Sequence, residues 1–323
     1  MKVFVTGGNG FIGSVVVRKL VQKEHTVTCL LRTASRTQRI DDLPVKRVHG
    51  DIRDASKVKE GMLGCDATIH LAGLSSWNDI NSPALEEVVE GGTRHVIEAA
   101  ADLPGHRVIF VSTTTAINGS DKPQIFDESS EFTLSDPKLK YAHAKHRAEF
   151  LCLSAFRKGL SVVIVNPAEV YGPSDEGLIT AGNLVDFSRA NPVLVCNGGT
   201  SVVHVDDVAT GIVAALEKGR AGERYILGGE NVTIHQLAAL YLQLAGQSSK
   251  IVTLPNRIIR TLTWIATQIG LPLPFKADVI PYATRYWFVD GSKAQRELGV
   301  KFRDARDTLL PTIEWLRQAG HLA

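Results

Sequence analysis

A turn of three glycines close to the N-terminus constrains this chain more than any other feature. The glycines follow the spacing G-x-x-G-x-x-G over residues 7–13, directly after an apolar β-branched run and directly before helical periodicity. In the order strand, tight turn and helix, glycines let the backbone approach a pyrophosphate that lies on the helix N-terminus. The sequence therefore predicts a dinucleotide-binding turn, with an ordinary tight turn as the alternative. The expected cofactor contacts here are Gly7, Asn9, Gly10, Phe11, Ile12 and Gly13.

Short apolar runs alternate with helical periodicity through the first half of the chain. Strands are predicted at 3–5, 26–31, 46–49, 67–71, 108–112 and 162–166, and the main helices between them at 55–62, 85–101 and 142–158. Continuous apolar strands that alternate with helices are typical of a parallel sheet covered on both faces. The predicted fold is α/β, a Rossmann-type doubly wound parallel sheet with a smaller C-terminal substrate-binding lobe.

After Asn166 the alternation loosens, and loops rich in Pro, Gly and Asn separate shorter elements. We assign residues 1–166 to an NAD(P)-binding Rossmann domain, to which later segments at about 200–230 return, and residues 167–323 mainly to the substrate-binding lobe. Helices are predicted in this part at 208–216, 234–245 and 255–269. The last of these either packs onto the lobe or forms a lid over a lipophilic pocket. Its apolar stripe consists of Ile258, Leu262, Ile265 and Ile269.

The charges of the chain are nearly balanced and interspersed. Lys and Arg number 36 against 34 Asp and Glu, so no basic face or tail indicates nucleic acid or an anionic membrane. A small-molecule partner is therefore expected. The four cysteines lie far apart without a C-x-x-C pair, which argues against a disulfide framework and against a bound metal.

No membrane-spanning or export segment is predicted. The most apolar late stretch, 261–275, is shorter than the ~20 residues that a membrane helix needs. Behind Lys2 a short β-type run breaks into glycines, where a signal peptide would continue apolar. These features predict no integral membrane segment and a cytoplasmic location.

The end of the second predicted strand indicates the kind of dinucleotide. A carboxylate there would accept from the adenosine ribose 2′-hydroxyl, whereas an arginine pairs with a 2′-phosphate. This chain has Arg32 at that position, followed by Arg36 and Arg39. The local charge favours NADP(H) over NAD(H), and a solvated basic loop neutralised by Asp41 and Asp42 is the alternative. The expected contacts are Arg32, Ser35 and Arg36. Asp51 and Ile52 would hold the adenine edge, with an ordinary strand end as the alternative.

Tyr141 and Lys145 stand four residues apart, which places both on one face of a helix. A phenol has an ordinary pKa of ~10 and exchanges protons poorly near neutrality unless a nearby cation stabilises its phenolate. An ammonium one turn away supplies that cation and can also hold the ribose hydroxyls of a nicotinamide. This spacing is common, and it gains weight here from the hydroxyl-rich strand end at 112–115.

Together these features resemble the extended short-chain dehydrogenase/reductase family of the NAD-dependent epimerase/dehydratase superfamily, and most closely its dihydroflavonol-4-reductase-like branch. The resemblance runs through nearly the whole chain. The motifs that carry it are VTGGNGFIG at 5–13, LLR at 30–32, GDIRD at 50–54, HLAG at 70–73, YAHAKHRAE at 141–149, NPAEVYGP at 166–173, VVHVDDVA at 202–209, GERYILGGEN at 222–231 and DGSKAQRELG at 290–299.

The resemblance implies an NADPH-dependent oxidoreductase that reduces a ketone or aldehyde on a small, fairly apolar substrate, or oxidises the matching alcohol. Tyr141 would be the general acid, Lys145 would lower its pKa and bind the ribose, and Thr114 would hydrogen-bond the carbonyl oxygen. The molecule would be a monomer or a homodimer. Further implied cofactor contacts are Leu71, Ala72, Gly73, Pro167 and Val170, and implied substrate contacts are Trp77, Glu169 and Tyr171.

Two positions depart from the family pattern. Val89 stands where the helix before the tyrosine usually has Asn, which removes an amide that would steady the helix or a proton-relay water. Thr114 is followed by Thr115-Ala116, where the sugar-nucleotide dehydratases of the family carry Asp-Glu. Without those acids an elimination reaction is not expected.

Two alternative functions stay open. One is an NAD-dependent sugar-nucleotide epimerase, against which Arg32 counts. The other is a nucleotide-sensing binding protein without turnover, against which the presence of both Tyr141 and Lys145 counts.

Several histidines are predicted to be structural. His204, with Asp206 and Asp207, matches a strand-to-helix junction of the family in which an Asp caps the following helix. His70 is expected in the core or beside the cofactor, and His143 at the surface.

Overall fold

The computed structural model describes residues 1–271 and 277–322, in which strands alternate with helices. The strands there are β1 (Lys2–Thr6), β2 (Thr26–Leu31), β3 (Lys46–His49), β4 (Ala67–His70), β5 (Arg107–Val111), β6 (Ile125–Phe126), β7 (Ser161–Pro167), β8 (Glu169–Tyr171), β9 (Val193–Cys196), β10 (Gly199–His204), β11 (Arg224–Leu227), β12 (Glu230–Thr233), β13 (Ile251–Leu254) and β14 (Phe288–Val289). The α-helices are α1 (Phe11–Gln22), α2 (Ala55–Met62), α3 (Gly92–Ala101), α4 (Lys140–Arg157), α5 (Gly182–Arg189), α6 (Val205–Lys218), α7 (Ile234–Ala245), α8 (Asn256–Gln268), α9 (Ile280–Ala283), α10 (Ser292–Leu298) and α11 (Ala305–Gln318).

Within the described residues the central sheet has seven parallel strands in the order β11-β7-β5-β4-β1-β2-β3. From β1 the chain runs outward through β2 and β3, and then returns to pair β4 with the other side of β1. This reversal is the switch point of a doubly wound fold, where ligands bind at the carboxyl ends of the strands. The predicted Rossmann-type class is confirmed.

Helices cover both faces of the sheet, which explains the unbroken apolar runs. In β1, Val3 and Val5 pack in the core beneath α1 and α6, whereas Phe4 packs in the core beneath α2, α3 and α4. Successive residues of a strand point to opposite faces, so a strand that is buried on both faces needs apolar residues at every position.

Local signals set several helix and strand bounds. The predicted bounds of β2, β3, α2 and α7 agree with the structure residue for residue. At the start of α2 the Asp54 carboxylate accepts from two backbone N–H groups, and Thr233 forms a capping box with Gln236 at the start of α7. That helix ends at Gly246, whose φ of 71° is left-handed.

The predicted helix at 85–101 is not a single α-helix. A π-helix spans Glu86–Gly91, and α3 follows from Gly92. Val89 lies in the π-helix, is 1% exposed and packs in the core under α3. Its backbone carbonyl accepts from the Thr93 hydroxyl at 2.6 Å. The side chain at the position of the family Asn therefore contributes apolar packing.

The part of the chain after β7 builds smaller layers. Strands β8, β10 and β12 form one sheet, β9 pairs with β13, and β14 pairs with β6, which precedes β7 in the chain. Helices α5, α7 and α11 pack around an apolar cluster of their own, which includes Tyr171, Leu237 and Leu309. In the segment predicted to return, β11 pairs with β7 at the edge of the central sheet. The domain boundary at 166 stays a prediction.

Helix α8 exposes the apolar stripe that the sequence predicted. The four stripe residues are between 42% and 69% exposed, whereas Thr263 and Ala266 are buried. Packing of the stripe onto the lobe is therefore wrong for the structure described, and a lid stays a prediction. No described helix is long and apolar enough to cross a membrane. Residues 272–275 of the apolar stretch lie outside the described residues.

Candidate active site

The glycine turn joins β1 to α1 at the switch point of the sheet. Gly7 has a left-handed φ of +72°, and a Cβ there would lie 2.8 Å from the backbone nitrogen of Ala72. A Cβ on Gly13 would lie 2.1 Å from the carbonyl oxygen of Gly7. Side chains at these positions would therefore push the turn away from both β4 and α1.

The N-terminus of α1 opens into this turn. Gly10 is the N-cap, no side chain caps the first N–H groups, and the first turn carries no acidic residue. Uncapped N–H groups and the helix dipole both favour a bound anion. The glycine cradle and this helix end fit the pyrophosphate of a dinucleotide.

Asn9 and Arg39 tie the outer side of the turn together. The Asn9 amide donates to the Arg36 carbonyl at 3.0 Å. The Arg39 guanidinium donates to the carbonyls of Asn9 at 3.3 Å and Ser174 at 2.6 Å. Of the three arginines in this segment, Arg39 therefore serves as scaffold.

Arg32 and Arg36 are exposed just beyond β2. The two acids that were expected to neutralise them in the alternative interpretation form ion pairs with other arginines. These pairs are Asp41–Arg47 at 2.9 Å and Asp42–Arg18 at 2.7 Å. A loop neutralised by its own acids is therefore wrong, and the positive charge of Arg32 and Arg36 faces outward.

The end of β3 lies next to this basic segment. Asp51 accepts from the Arg53 guanidinium at 2.9 Å, and Ile52 is 6% exposed against Gly92 of α3. Hydrogen bonds from Arg53, with the nearby charge of Arg32 adding to them, hold the pKa of Asp51 below its ordinary value. Arg32 and Asp51 therefore lie at the carboxyl ends of the neighbouring strands β2 and β3, and their contact with a cofactor stays a prediction.

β4 ends beside the glycine turn. The Thr6 hydroxyl accepts from the Ala72 N–H at 3.2 Å and lies 2.7 Å from His70 Nδ1. His70 is 1% exposed, and burial, with the charge of Lys145 adding to it, lowers its pKa to about 3. His70 is thus a neutral core residue that braces this strand end, as expected. Leu71 and Ala72 are partly buried and Gly73 is exposed.

Lys145 lies one turn after Tyr141 on α4. Its side chain is 4% exposed, and the ammonium donates to the Val111 carbonyl, at the end of β5, at 2.9 Å. A Cβ on Gly73 would come within 3.6 Å of Nζ. Burial lowers the pKa of Lys145 to about 8, and the charge of Glu149 opposes that shift. The ammonium therefore sits between the ends of β4 and β5.

The Tyr141 phenol faces a hydroxyl that the sequence analysis did not select. Burial raises the pKa of Tyr141 to about 12, and the Thr113 hydroxyl opposes the rise by hydrogen bonding. The pKa of Tyr141 is thus raised, whereas the sequence predicted that Lys145 would lower it. Thr114, the predicted hydroxyl, is 4% exposed and begins the short 3-10 turn Thr114–Ala116, which Thr113 caps. Residues 112–115 all carry hydroxyls, so the sequence alone held no signal to choose between them.

Aromatic side chains pack beside Tyr141. Trp77 meets the Tyr282 ring edge-on with centroids 5.9 Å apart, and Tyr282 stacks on Trp287 at 5.9 Å. These rings share one apolar cluster with Ile80 and Tyr141. The predicted residue Trp77 is therefore close to the phenol. Tyr282, which is 3% exposed, was missed because it lies in a segment without a recognisable motif.

The other two predicted substrate contacts, Glu169 and Tyr171, lie in β8. Glu169 is partly exposed. Tyr171 is fully buried, and its hydroxyl donates to Glu169 at 2.7 Å. The Asn183 amide donates to both of them, at 3.1 Å to the carboxylate and 2.6 Å to the hydroxyl. Tyr171 therefore has no surface for a substrate and holds Glu169 instead. Pro167 ends β7, and Val170 is 5% exposed in β8.

The family model described as "NAD dependent epimerase/dehydratase family" matches residues 3–228. The chain belongs to this family. Membership makes the protein a nicotinamide-dinucleotide-binding enzyme of the extended short-chain dehydrogenase/reductase type, and the resemblance found in the sequence is confirmed.

Relatives within the family include named reductases. A putative dihydroflavonol 4-reductase of Synechocystis sp. is 29% identical over 328 residues, which cover 99% of this chain and 95% of the relative. A 4-hydroxy-2-methyl-3-oxo-4-farnesyl-3,4-dihydroquinoline-1-oxide ketoreductase of Stigmatella aurantiaca is also 29% identical, over 99% and 97% of the two chains. Cinnamoyl-CoA reductase 1 of Oryza sativa subsp. japonica is 26% identical over 99% and 91%.

Solved structures of the family superpose over the whole chain. The structure of gox2253 has a TM-score of 0.86 and 30% identity, and the match covers 100% of this chain and 99% of that one. The dTDP-glucose 4,6-dehydratase DesIV of Streptomyces venezuelae, with NAD and TYD bound, has a TM-score of 0.79 and 28% identity over 98% and 97%. The chain thus shares its fold with both proteins, one of which is a named dehydratase.

His204 lies at the strand-to-helix junction that the family motif predicted. Its Nδ1 accepts from the Asp206 N–H at 3.1 Å, so the imidazole caps α6 and the expected Asp cap is wrong. The carboxylates face elsewhere, because Asp206 pairs with Lys19 at 2.8 Å and Asp207 accepts from the Arg303 N–H at 2.9 Å. Burial and the Arg303 charge lower the pKa of His204 to about 4, which keeps Nδ1 able to accept.

His143 is half-buried, which the prediction of a surface residue did not anticipate. Its Nε2 lies 3.0 Å from the Asp136 carbonyl oxygen, and its ring meets Phe132 edge-on. Across residues 1–271 and 277–322 no three metal-ligating side chains come together.

Proposed function

We propose that the protein is an NADPH-dependent carbonyl reductase that transfers hydride to a ketone or aldehyde on a small, fairly apolar substrate. The observation that carries the proposal is the position of Lys145, whose buried ammonium lies between the ends of β4 and β5 and one turn from the Tyr141 phenol. The bound nicotinamide supplies the hydride. The residues of the chain position the carbonyl and deliver the proton.

Tyr141 is the general acid. Because its pKa is about 12, the phenol carries its proton throughout the neutral range and can donate it to the carbonyl oxygen. Thr114, together with Thr113 beside it, hydrogen-bonds the same oxygen. Lys145 offers a positive charge that stabilises the phenolate left after proton transfer, and its N–H groups suit the ribose hydroxyls. The alcohol product leaves with hydride on carbon and a proton on oxygen.

Arg32 and Arg36 support the choice of NADPH. Both guanidiniums are exposed beside the end of β2, and the neighbouring acids pair with other arginines. An arginine pairs well with a 2′-phosphate, whereas a ribose hydroxyl would leave this charge without a partner.

The apolar substrate class rests on the aromatic side chains beside Tyr141. Trp77 meets Tyr282 edge-on, and Tyr282 stacks on Trp287, in the apolar cluster that includes Tyr141. Tyr282 and Trp287 are buried, so the partly exposed Trp77 is the ring of the three that can contact a substrate. The reductase relatives are named for farnesylated and cinnamoyl substrates, which fits an apolar contact of this kind. The dehydratases of the family carry acids at the positions of Thr115 and Ala116, so an elimination reaction is not expected here.

The test of the reaction is Tyr141→Phe, assayed as NADPH oxidation with a panel of ketones and aldehydes. We expect kcat to fall by ~10²–10⁴-fold, because a positioned proton donor is lost. Tyr241→Phe is the matched control, since it removes a hydroxyl from the separate cluster around α7. Full turnover by Tyr141→Phe would refute the proposal. NADPH binding by the natural sequence without any turnover would favour a nucleotide sensor. NAD⁺ that stays bound through purification would favour an epimerase.

Cofactor choice is tested with the double variant Arg32→Ser, Arg36→Ser. We expect kcat/KM for NADPH to fall by roughly 10–100-fold while the value for NADH changes little, because charge-assisted hydrogen bonds to one phosphate are lost. Arg157→Ser removes an exposed charge at the far end of α4 and serves as control. Equal losses with both cofactors would show that the arginines do not select the 2′-phosphate.

A further inference from the structure

α4 buries a second charge one turn beyond Lys145. Glu149 is 2% exposed, and the reaction proposed above gives it no part. An ionised carboxylate is seldom retained in a core without a purpose, because its desolvation is unfavourable unless partners compensate.

The hydrogen-bond partners of Glu149 are all donors. Its Oε1 accepts from the Ser112 hydroxyl at 2.5 Å and from the Asn166 amide at 2.6 Å. Its Oε2 forms no hydrogen bond and lies 3.7 Å from the Arg224 guanidinium. Burial raises the pKa of Glu149, but Arg224, the two donors and Lys145 all oppose the rise. An arrangement of donors and cations around both oxygens favours the carboxylate over the acid.

Among residues 1–271 and 277–322, Glu149 is the carboxylate whose charge acts on Lys145. His70 on β4 has a neutral imidazole, and α4 carries the Tyr141 phenol and the buried Cys152 thiol. Beyond Glu149 lies the Arg224 cation on β11, whose charge also acts on His146. Burial raises the pKa of Cys152, so its thiol stays neutral. Among the described groups that act on Lys145, Glu149 is the carboxylate.

We propose that Glu149 is a positioning residue whose carboxylate keeps the buried Lys145 in its ammonium form and ties α4 to the ends of β5 and β7. The tie runs through Asn166, whose amide also donates to the Thr113 carbonyl at 2.9 Å. One side chain thus steadies both the lysine and the hydroxyl turn that faces Tyr141. This inference rests on the proposed function, because it assigns Glu149 to the same proton-transfer site.

The sign of the effect follows from the two opposing influences on Lys145. Burial lowers its pKa to about 8 and Glu149 raises it. Neutralising Glu149 therefore lowers the pKa further, by ~1–3 units for a nearby charge. The alkaline limb of the kcat profile for carbonyl reduction, which reports loss of the ammonium, lies near pH 8 in the natural sequence and moves to lower pH in the variant.

The experiment is Glu149→Gln, which keeps the shape and one acceptor oxygen. The titration of Lys145 is followed by NMR of protein carrying ¹³Cε-lysine, with the resonance assigned through Lys145→Arg, and the pH profile of kcat is measured in parallel. We expect both midpoints to fall by at least one unit. Glu90→Gln is the control, because it breaks an ion pair with Arg147 on another face of the same helix, and it should move neither midpoint.

Unchanged midpoints in folded Glu149→Gln would overturn the inference. If that variant does not fold, the natural sequence labelled with ¹³Cδ-glutamate decides, because the inference requires an ionised Glu149. The Glu149 resonance should be that of a carboxylate at pH 7, and a protonated Glu149 at that pH would overturn the inference. Absence of turnover in the natural sequence would contradict the proposed function alone, because the NMR titration still measures the charge coupling without substrate.

Discussion

Helices α4 and α8 depart from ordinary burial in opposite directions. α4 places two charged side chains in the core, with Lys145 4% and Glu149 2% exposed. α8 turns large apolar side chains outward, with Ile258 47% and Leu262 56% exposed. Both helices are amphipathic in sequence, yet each breaks the rule that charges lie outside and apolar residues inside.

The difference lies in what holds each departure in place. Burying a charge is strongly unfavourable, and α4 compensates with hydrogen bonds and one ion pair that reach β7, β11 and the end of β5. Exposing an apolar side chain has a smaller penalty and needs no such network. The departure in α4 is therefore specified by the fold, whereas in α8 the described contacts leave the apolar stripe without a partner.

The largest effect is expected from Lys145→Met in α4. The variant should lose ~10²–10³-fold in kcat, as when a donor at a developing charge is removed. It should also unfold at lower denaturant, because removing one partner leaves the other buried charge uncompensated. Activity assays and urea titrations measure the two effects. Lys140→Met, on the exposed start of the same helix, should change neither, and an equally stable Lys145→Met would break the comparison.

A much smaller effect is expected from Leu262→Ala in α8. The free energy of unfolding should change by less than about 0.5 kcal/mol, because the side chain is exposed. Leu237→Ala in α7, where the leucine is fully buried, should lower it by ~2–5 kcal/mol. If α8 is the lid that the sequence suggested, KM for apolar substrates rises with kcat unchanged. A large loss of stability in Leu262→Ala would show that the stripe is packed in solution.

Most strands of the central sheet could be predicted because the apolar pattern of the sequence agrees with the burial of those strands in the folded protein. The bounds of β2 follow from a largely apolar, β-branched run and those of α7 from its capping residues, whereas β3 has one apolar residue, Val48. The π-helix at Glu86–Gly91 could not be predicted. Its extra residue per turn depends on how the π-helix packs against α4 and the core, which periodicity does not report.

The candidate site divides in the same way. The spacing of Tyr141 and Lys145 was enough to place them on one face, but the hydroxyl that meets the phenol depends on the backbone of the turn after β5. Glu149 stood inside a recognised motif without a role, since its partners Ser112 and Asn166 come from other strands.

Residue order alone decided the class of fold, the glycine turn and the helix that carries the tyrosine and the lysine. These depend on interactions between near neighbours, such as strand alternation, helical spacing and the small size of glycine. Only the tertiary structure decided that Arg39 is scaffold, that Tyr171 is buried and that Glu149 lies among Ser112, Asn166 and Arg224. Each of those outcomes depends on desolvation and on partners from distant strands, which come together only when the sheet closes.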